Sequence, residues 1–200
     1  MILRSASPSP FGRKTKMAAK ILDLMDRIEI VRADLNDPDD SIRQENPLGK
    51  IPALVLDDGT CLYDSRVICE YLDGRAGGGR LFPGGEARTP AIRLQALADG
   101  LIDAAILQVY EGRYRPEDKH HQPWLDRQSE KVERALAALE ADPPAFDGTP
   151  HIGHVALACA LGYLDFRFAG KWRDGHPNLV AWLDAFAAAV PAYAETELHD

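Results

Sequence analysis

In the first third of the chain, short apolar runs are separated by one segment in which apolar residues recur at helical spacing. The runs at residues 1–4 and 28–31 predict two strands. Between them, apolar residues recur every three or four positions, which predicts a helix over residues 10–25. Residues 36–45 are polar and predict a loop with at most one helical turn.

Two further apolar runs, at residues 53–56 and 60–63, flank an acidic, glycine-containing turn at 57–59. This arrangement predicts a β-hairpin. Apolar residues at helical spacing then continue to Leu72, and Ser65 just before them is the predicted N-cap of a helix. The predicted order of elements in this half is therefore βαβαββα.

The pattern changes at residues 74–85, where two glycine clusters are typical of a connection. Beyond them every periodic segment is helical. We therefore expect one domain over residues 1–74, a linker over 75–86 and an all-helical bundle domain over 87–200.

Three apolar stripes and one continuous apolar segment predict the helices of the second domain. The segment at residues 152–168 is apolar on nearly every face, as expected of a helix at the centre of a bundle. Asp165 inside it predicts a buried partner such as an arginine. The three stripes are Leu94, Leu97, Leu101, Ala105 and Gln108; Leu125, Val132, Leu136 and Leu139; and Leu179, Val180, Leu183, Phe186 and Val190.

Composition narrows the classes of partner. The chain has 200 residues and a formal net charge of −8, which disfavours nucleic acid and anionic membranes as main partners. No stretch is long and apolar enough to predict a membrane span, and we expect a cytoplasmic protein. Cys61, Cys69 and Cys159 lack CxxC or metal-site spacing, so reduced thiols are expected.

The segment N-P-L-G-K-I-P-A-L, residues 46–54, places Pro52 just before a predicted strand. It fits an ordinary trans proline at the start of an edge strand, and it also fits a cis peptide bond. In the cis form, the backbone N–H and carbonyl of Ile51 would face outward and could pair with an extended peptide. Asp64 and a helix N-terminus follow nearby in sequence. Together these features suit a small anionic peptide with a free amino group.

The motif N-P-x-G-K-[IV]-P-A-L, followed by D-D-G and by Y-D-S-R-x-I-x-x-Y-L, resembles the glutathione-binding half of glutathione S-transferases, and of their short bacterial members in particular. The resemblance covers nearly the whole chain. It implies a thioredoxin-like domain followed by an all-helical domain, and a homodimer. It also implies that Pro52 is cis, that Ile51 pairs with the cysteinyl backbone of glutathione, and that Asp64 and Ser65 hold its γ-glutamyl end.

Catalytic chemistry is expected in the serine-rich segment between the first strand and the first helix. Ser9 followed by Pro10 is typical of an N-cap and first helical residue, which needs no catalytic explanation. A helix N-terminus would also make a nearby thiol more acidic. The resemblance to serine-type transferases places the activating serine in this loop. Ser9 is the first candidate, with Ser7 and then Ser5 as alternates.

The resemblance also implies a reaction in which glutathione is the co-substrate. Its thiolate would attack a small apolar electrophile, as in detoxification, or support a glutathione-dependent reduction. Pro10 and Phe11 would adjoin the bound peptide, and Lys50 would contact one of its carboxylates. The candidates for the electrophile side are Tyr110, Arg113 and Tyr114, although each could simply pack or face solvent. The alternative function is that of a non-catalytic binding or interaction protein with the transferase fold.

His151 and His154 stand three residues apart, at the start of the central helix. They could share a metal, but the sequence places no third ligand, and we expect no metal. Relatives usually carry Ser or Thr, two residues, then Asp here, which forms an N-capping box. With histidines instead, Thr149 could cap the helix one turn earlier, and on that interpretation His154→Asp would raise the melting temperature.

Overall fold

The computed structural model describes residues 1–200, and its first half builds one mixed sheet with helices packed on it. The strand order is β2-β1-β3-β4, with β1 parallel to β2 and antiparallel to β3. The elements are β1 (Ile2–Ser5), α1 (Pro10–Ile21), β2 (Glu29–Arg32), α2 (Ile42–Glu45), β3 (Ala53–Val55), β4 (Cys61–Leu62) and α3 (Ser65–Arg75).

The order βαβαββα was predicted correctly, and the half-chain has the thioredoxin-like fold. Because parallel strands need a crossover, α1 lies between β1 and β2 and packs against α3. Leu3 on β1 pairs with Leu54 on β3, and both side chains are buried. This pairing fixes the register, since a one-residue slip would expose both.

Two boundaries in this half were predicted wrongly. Helix α1 ends at Ile21 instead of residue 25, because Asp23 takes a left-handed conformation with φ of 57°. A separate 3-10 turn covers Met25–Arg27. Asp64, not Ser65, is the N-cap of α3: its carboxylate accepts the N–H of Arg66 at 2.9 Å.

The second half is all helical, as predicted. Its helices are α4 (Arg88–Tyr114), α5 (Gln122–Ala141), α6 (Ile152–Phe168), α7 (Pro177–Ala189) and α8 (Ala192–Glu195). Helix α6 is buried continuously from Ile152 to Leu164, and both α4 and α1 pack against it. One cluster of buried apolar side chains therefore runs through both halves of the molecule.

The stripe predicted on α4 is partly wrong. Leu101 and Ala105 are buried, but the side chain of Leu97 is 39% exposed. The buried face runs through Ala98 and Ile102 instead, because α6 contacts α4 on that side. An arginine partner for Asp165 is present, since its carboxylate accepts hydrogen bonds from Arg173 and Trp172, but the Arg173 side chain is 39% exposed instead of buried.

The start of α6 corrects the expectation of a displaced cap. His151 is the N-cap, and its Nδ1 accepts the backbone N–H groups of Gly153 at 3.1 Å and His154 at 3.4 Å. The Nδ1 of His154 accepts the N–H of His151 in return, at 3.3 Å. Two imidazoles thus form the capping box, and Thr149 does not cap the helix. The reason for expecting His154→Asp to be stabilising is thereby removed.

Candidate functional site

The N-terminus of α1 presents Ser9 as its cap. Ser9 has an extended backbone, and its Oγ accepts the N–H of Gly12 at 3.0 Å, with Pro10 in the first helical position. A hydroxyl group that accepts one hydrogen bond still has its own proton to donate. The half-buried Ser9 hydroxyl can therefore donate to an anion at this positive helix end.

The other two serines of this segment are placed differently. Ser5 lies at the end of β1, only 1% exposed, and its buried Oγ has no hydrogen-bond partner. It sits under the first turn of α1, where a side chain at Gly12 would overlap its oxygen. Ser7 is half-buried in the loop. Of the three, Ser9 is the one whose hydroxyl caps the helix.

The turn before β3 lies beside the segment that follows β1, because the two strands are antiparallel neighbours with Arg4 opposite Ala53. The Ile51–Pro52 peptide bond is cis, and Pro52 is buried. The hydrogen bonds within the chain leave the backbone N–H and carbonyl of Ile51 unpaired. Lys50 is exposed, and its carbonyl accepts the side-chain amide of Asn46 at 2.8 Å, which fixes the turn.

The N-terminus of α3 supplies a second helix end. Asp64 is exposed, and Ser65, the first residue of the helix, is 2% exposed. The Nε of Arg66 donates to Oδ2 of Asp99 on α4 at 2.9 Å. This hydrogen bond is the main reason that the pKa of Arg66 is raised. The helix end is thereby tied to the second domain.

Sequence reasoning missed the buried ion pair behind this contact. Lys14 donates to the other oxygen of Asp99 at 2.6 Å, and both side chains are fully buried. The carboxylate of Asp103, one turn along α4, has a raised pKa because of partial burial and the charge of Asp99. No sequence signal singles out this pair, because Lys14 is one of four basic residues in α1 and Asp99 is one of several charged residues in α4.

Arg13 is a second interdomain contact. Its guanidinium lies 4.2 Å from the ring centroid of Tyr193 and donates to the carbonyl of Tyr193 at 2.8 Å. A side chain at Gly162 would overlap that guanidinium, so α1 and α6 meet closely there. Arg13 therefore joins the domains and does not face the turn before β3.

The predicted electrophile residues form one cluster at the end of α4. The rings of Tyr110 and Tyr114 pack edge to face with centroids 5.3 Å apart, and Arg113 lies 5.9 Å from the Tyr110 centroid. Tyr110 is seven residues beyond Asp103, hence on the same helix face and roughly 10 Å farther along the axis. The cluster continues the face of α4 that meets the first domain.

The side-chain arrangement supports neither metal binding nor chemistry by the protein's own buried cysteines. No group of three or more His, Cys, Asp or Glu side chains could hold a metal ion. Burial raises the pKa of Cys69 to about 12 and that of Cys159 to about 11, so both thiols stay protonated. None of the helices has the length and hydrophobicity that a bilayer crossing requires.

Family models match both halves of the chain. The model of the glutathione S-transferase N-terminal domain matches residues 8–75, and that of the C-terminal domain matches residues 122–185. An uncharacterized GST-like protein of Escherichia coli (strain K12), YibF, is 33% identical over 202 residues, which cover 98% of this chain and 98% of that protein.

Solved structures of similar proteins contain glutathione. A glutathione transferase family member from Pseudomonas fluorescens Pf-5, with bound glutathione, is 42% identical with a TM-score of 0.90 and covers 100% of this chain and 99% of that one. A glutathione S-transferase from Methylobacillus flagellatus, also with glutathione bound, is 35% identical with a TM-score of 0.90, covering 99% of each chain. A further Pseudomonas fluorescens structure, 40% identical over 100% of both chains with a TM-score of 0.87, holds S-(propanoic acid)-glutathione.

Proposed function

The chain belongs to the glutathione S-transferase family, and on that premise we propose that it binds glutathione and activates its thiol for attack on a small electrophile. The relatives from Pseudomonas and Methylobacillus contain bound glutathione, which supports the first half of the proposal. A glutathione-dependent reduction would use the same activated thiol.

Three parts of the site are suited to binding glutathione. The unpaired backbone of Ile51 pairs with the cysteinyl residue, and the N-terminal end of α3, with Asp64 and Ser65, takes the γ-glutamyl group. The exposed Lys50 attracts a carboxylate of glutathione. Pro10 and Phe11 flank the thiol, and the electrophile lies toward Tyr110, Arg113 and Tyr114.

The observation that carries the proposal is the serine-capped N-terminus of α1. A sulfur atom placed there meets a free hydroxyl proton and the positive end of a helix, both of which favour the thiolate. The pKa of the glutathione thiol then falls below the ordinary cysteine value of about 8.5. Ser9 activates the ligand's sulfur and forms no covalent bond with the substrate.

The binding site is tested by calorimetric titration of glutathione into wild type, Ser65→Ala and Ser129→Ala. Ser129 donates to Gln108 within the helical domain, so it is the matched control. We expect Ser65→Ala to weaken binding about tenfold, since a hydrogen bond to a charged group is lost. Equal affinity in all three proteins would remove Ser65 from the site. If the wild type binds glutathione without turning over any electrophile, the non-catalytic alternative holds.

We also propose a homodimer. Apolar side chains of α3 and α4 remain exposed in the single chain, including Val67 at 47%, Ile92 at 38% and Leu97 at 39%. Covering these side chains with a second copy would remove apolar surface from water. Light scattering should give twice the chain mass of 22.0 kDa, and Leu97→Asp should lower that value. A wild-type mass of one chain would contradict the dimer.

A further inference from the structure

The end of α6 carries cationic and aromatic side chains beside the cluster at the end of α4. Helices α4 and α6 start side by side, since a side chain at Gly153 would overlap the Ala91 carbonyl and the Leu94 Cβ atom. They pack along their lengths. Tyr163 and Arg167 stand one turn apart on α6, ten or more residues beyond that starting contact.

Tyr163 of α6 is influenced by side chains of both clusters. Burial raises the pKa of the Tyr163 phenol to about 12, and the positive charges of Arg167 and Arg113 both oppose that rise. The phenol of Tyr110 adds to the rise in the pKa of Tyr163. Two guanidinium groups from different helices therefore act on one buried phenol.

Arg113 has no acidic partner. No carboxylate lies within 4.0 Å of it, whereas Arg115, two residues later, pairs with Glu111. Arg113 is exposed and is held over the Tyr110 ring. An unpaired, planar guanidinium beside two tyrosine rings is suited to a carboxylate attached to an aromatic group.

Arg167 already binds a carboxylate that comes from the solvent side. Its side chain is 17% exposed and lies 4.0 Å over the Phe166 ring, and its Nε is buried without a partner. Its terminal nitrogen forms an ion pair with Oδ1 of Asp200 at 2.9 Å, and the Asp200 side chain is 78% exposed. Such an exposed pair contributes little, so another carboxylate can replace Asp200.

This cluster belongs to two helices that both contact the first domain. Arg13, one turn after Ser9, touches α6 at Gly162, directly before Tyr163. Helix α6 thus meets the first domain through Arg13, and α4 meets it through Asp99, which binds Lys14 and Arg66.

We propose that Arg113 and Arg167 bind an acidic group on the second substrate, so that the enzyme prefers aromatic electrophiles that carry a carboxylate. This inference rests on the proposed function and narrows its substrate class from apolar to acidic aromatic. Tyr110 and Tyr114 hold the ring, and the arginines orient the carboxylate so that the reactive carbon faces the sulfur.

A matched pair of substrates tests the preference. The neutral member is 1-chloro-2,4-dinitrobenzene, and the acidic member is 4-chloro-3,5-dinitrobenzoate. In both, the glutathione sulfur attacks the carbon that bears chlorine, a C–S bond forms, chloride leaves with the bonding pair, and the thiol proton passes to solvent. The quantity compared is the ratio of kcat/KM for the acidic substrate to that for the neutral one.

We expect Arg113→Gln and Arg167→Gln each to lower this ratio about tenfold, as for a lost hydrogen bond to a charged group. The matched control is Arg127→Gln on α5, which removes the same charge and should keep the wild-type ratio. Arg167→Lys keeps the charge and should recover part of the loss. A ratio that is unchanged in both glutamine variants, or lowered equally in the control, would overturn the proposal.

Binding of the two product conjugates gives a readout that needs no turnover. Calorimetry should show that wild type binds the carboxylate-bearing conjugate more tightly than the neutral one, and that Arg113→Gln removes the difference. Equal binding of the two conjugates by wild type would overturn the acidic preference while glutathione binding stands.

If glutathione itself does not bind, the proposed function fails and this inference fails with it. Weaker binding of free glutathione in Arg113→Gln would assign the arginine to the peptide, also overturning the inference.

Discussion

Ser9 is the residue on which thiol activation depends. Its Oγ accepts the Gly12 N–H, so its hydroxyl proton is available for the sulfur. We predict that Ser9→Ala still binds glutathione but raises the pKa of the bound thiol by about one unit, the value of one hydrogen bond to a charged group. The thiolate's ultraviolet absorbance measured against pH gives this pKa. Ser7→Ala is the control, and an equal shift in both variants would assign the effect to the loop in general.

The local geometry at Ser9 and Pro52 could be predicted, whereas contacts between residues brought together by folding could not. Ser9 and Pro52 lie in contiguous motifs that define their own local geometry. Asp99 binds Lys14 and Arg66 from positions 85 and 33 residues away, and no local pattern pairs them. The contact of Arg13 with Tyr193 is of the same kind, since the two residues are 180 positions apart.

At the scale of the elements, the N-terminus of α6 has the least usual chemistry. The rings of His151 and His154 stack with centroids 3.5 Å apart, and each accepts backbone N–H groups through Nδ1, so both must be neutral. Desolvation lowers the pKa of His154 to about 4, with His151 adding to the effect and Asp147 opposing it. Desolvation lowers the pKa of His151 too.

We therefore predict that acid weakens this helix start. Because the folded pKa of His154 is about 4 and its ordinary value is 6.5, the unfolded chain binds more protons between these values. The stability that neutral His154 contributes is complete above pH 6.5 and is lost as the pH falls toward about 4. The measurement is Tm against pH for wild type and for His154→Gln, whose amide oxygen can accept the same N–H without titrating.

The loss of Tm on acidification should be smaller in His154→Gln than in wild type. The control is His120→Gln, which changes an exposed histidine outside the capping box and should keep the wild-type slope. Parallel Tm curves for all three proteins would show that the imidazole pair does not govern acid stability.

Element boundaries show where sequence patterns suffice. The apolar segment at residues 152–168 coincides with α6, because an apolar run that long is characteristic of a central helix, although the cap at His151 was not predicted. The end of α1 was missed, since the apolar spacing continues to Met25 while Asp23 turns the chain. Leu97 was expected in the core because α4 is apolar on more than one side, and only its packing against α6 decides which side is buried.

For the whole molecule, the buried Lys14–Asp99 pair joins the two domains. We predict that Lys14→Met lowers the free energy of unfolding by about 3 kcal/mol, because Asp99 loses one of its two cations in a dry environment. The matched control on the same helix is Lys20→Met, whose half-exposed pair with Glu195 contributes about 0–1 kcal/mol. Urea unfolding measures both. An equal decrease in unfolding free energy in both variants would mean that the buried Lys14–Asp99 pair is no more stabilising than the exposed Lys20–Glu195 pair.

The proposed function requires that this chain lower the pKa of a bound glutathione thiol at the end of α1. The most direct measurement is the pH titration of the thiolate's ultraviolet absorbance with glutathione bound to the wild-type protein. We expect the pKa of the bound thiol to lie at least one unit below that of the free thiol, for which about 8.5 is the ordinary cysteine value. Bound glutathione with an unshifted thiol pKa would contradict the claim and leave a binding protein with a transferase fold.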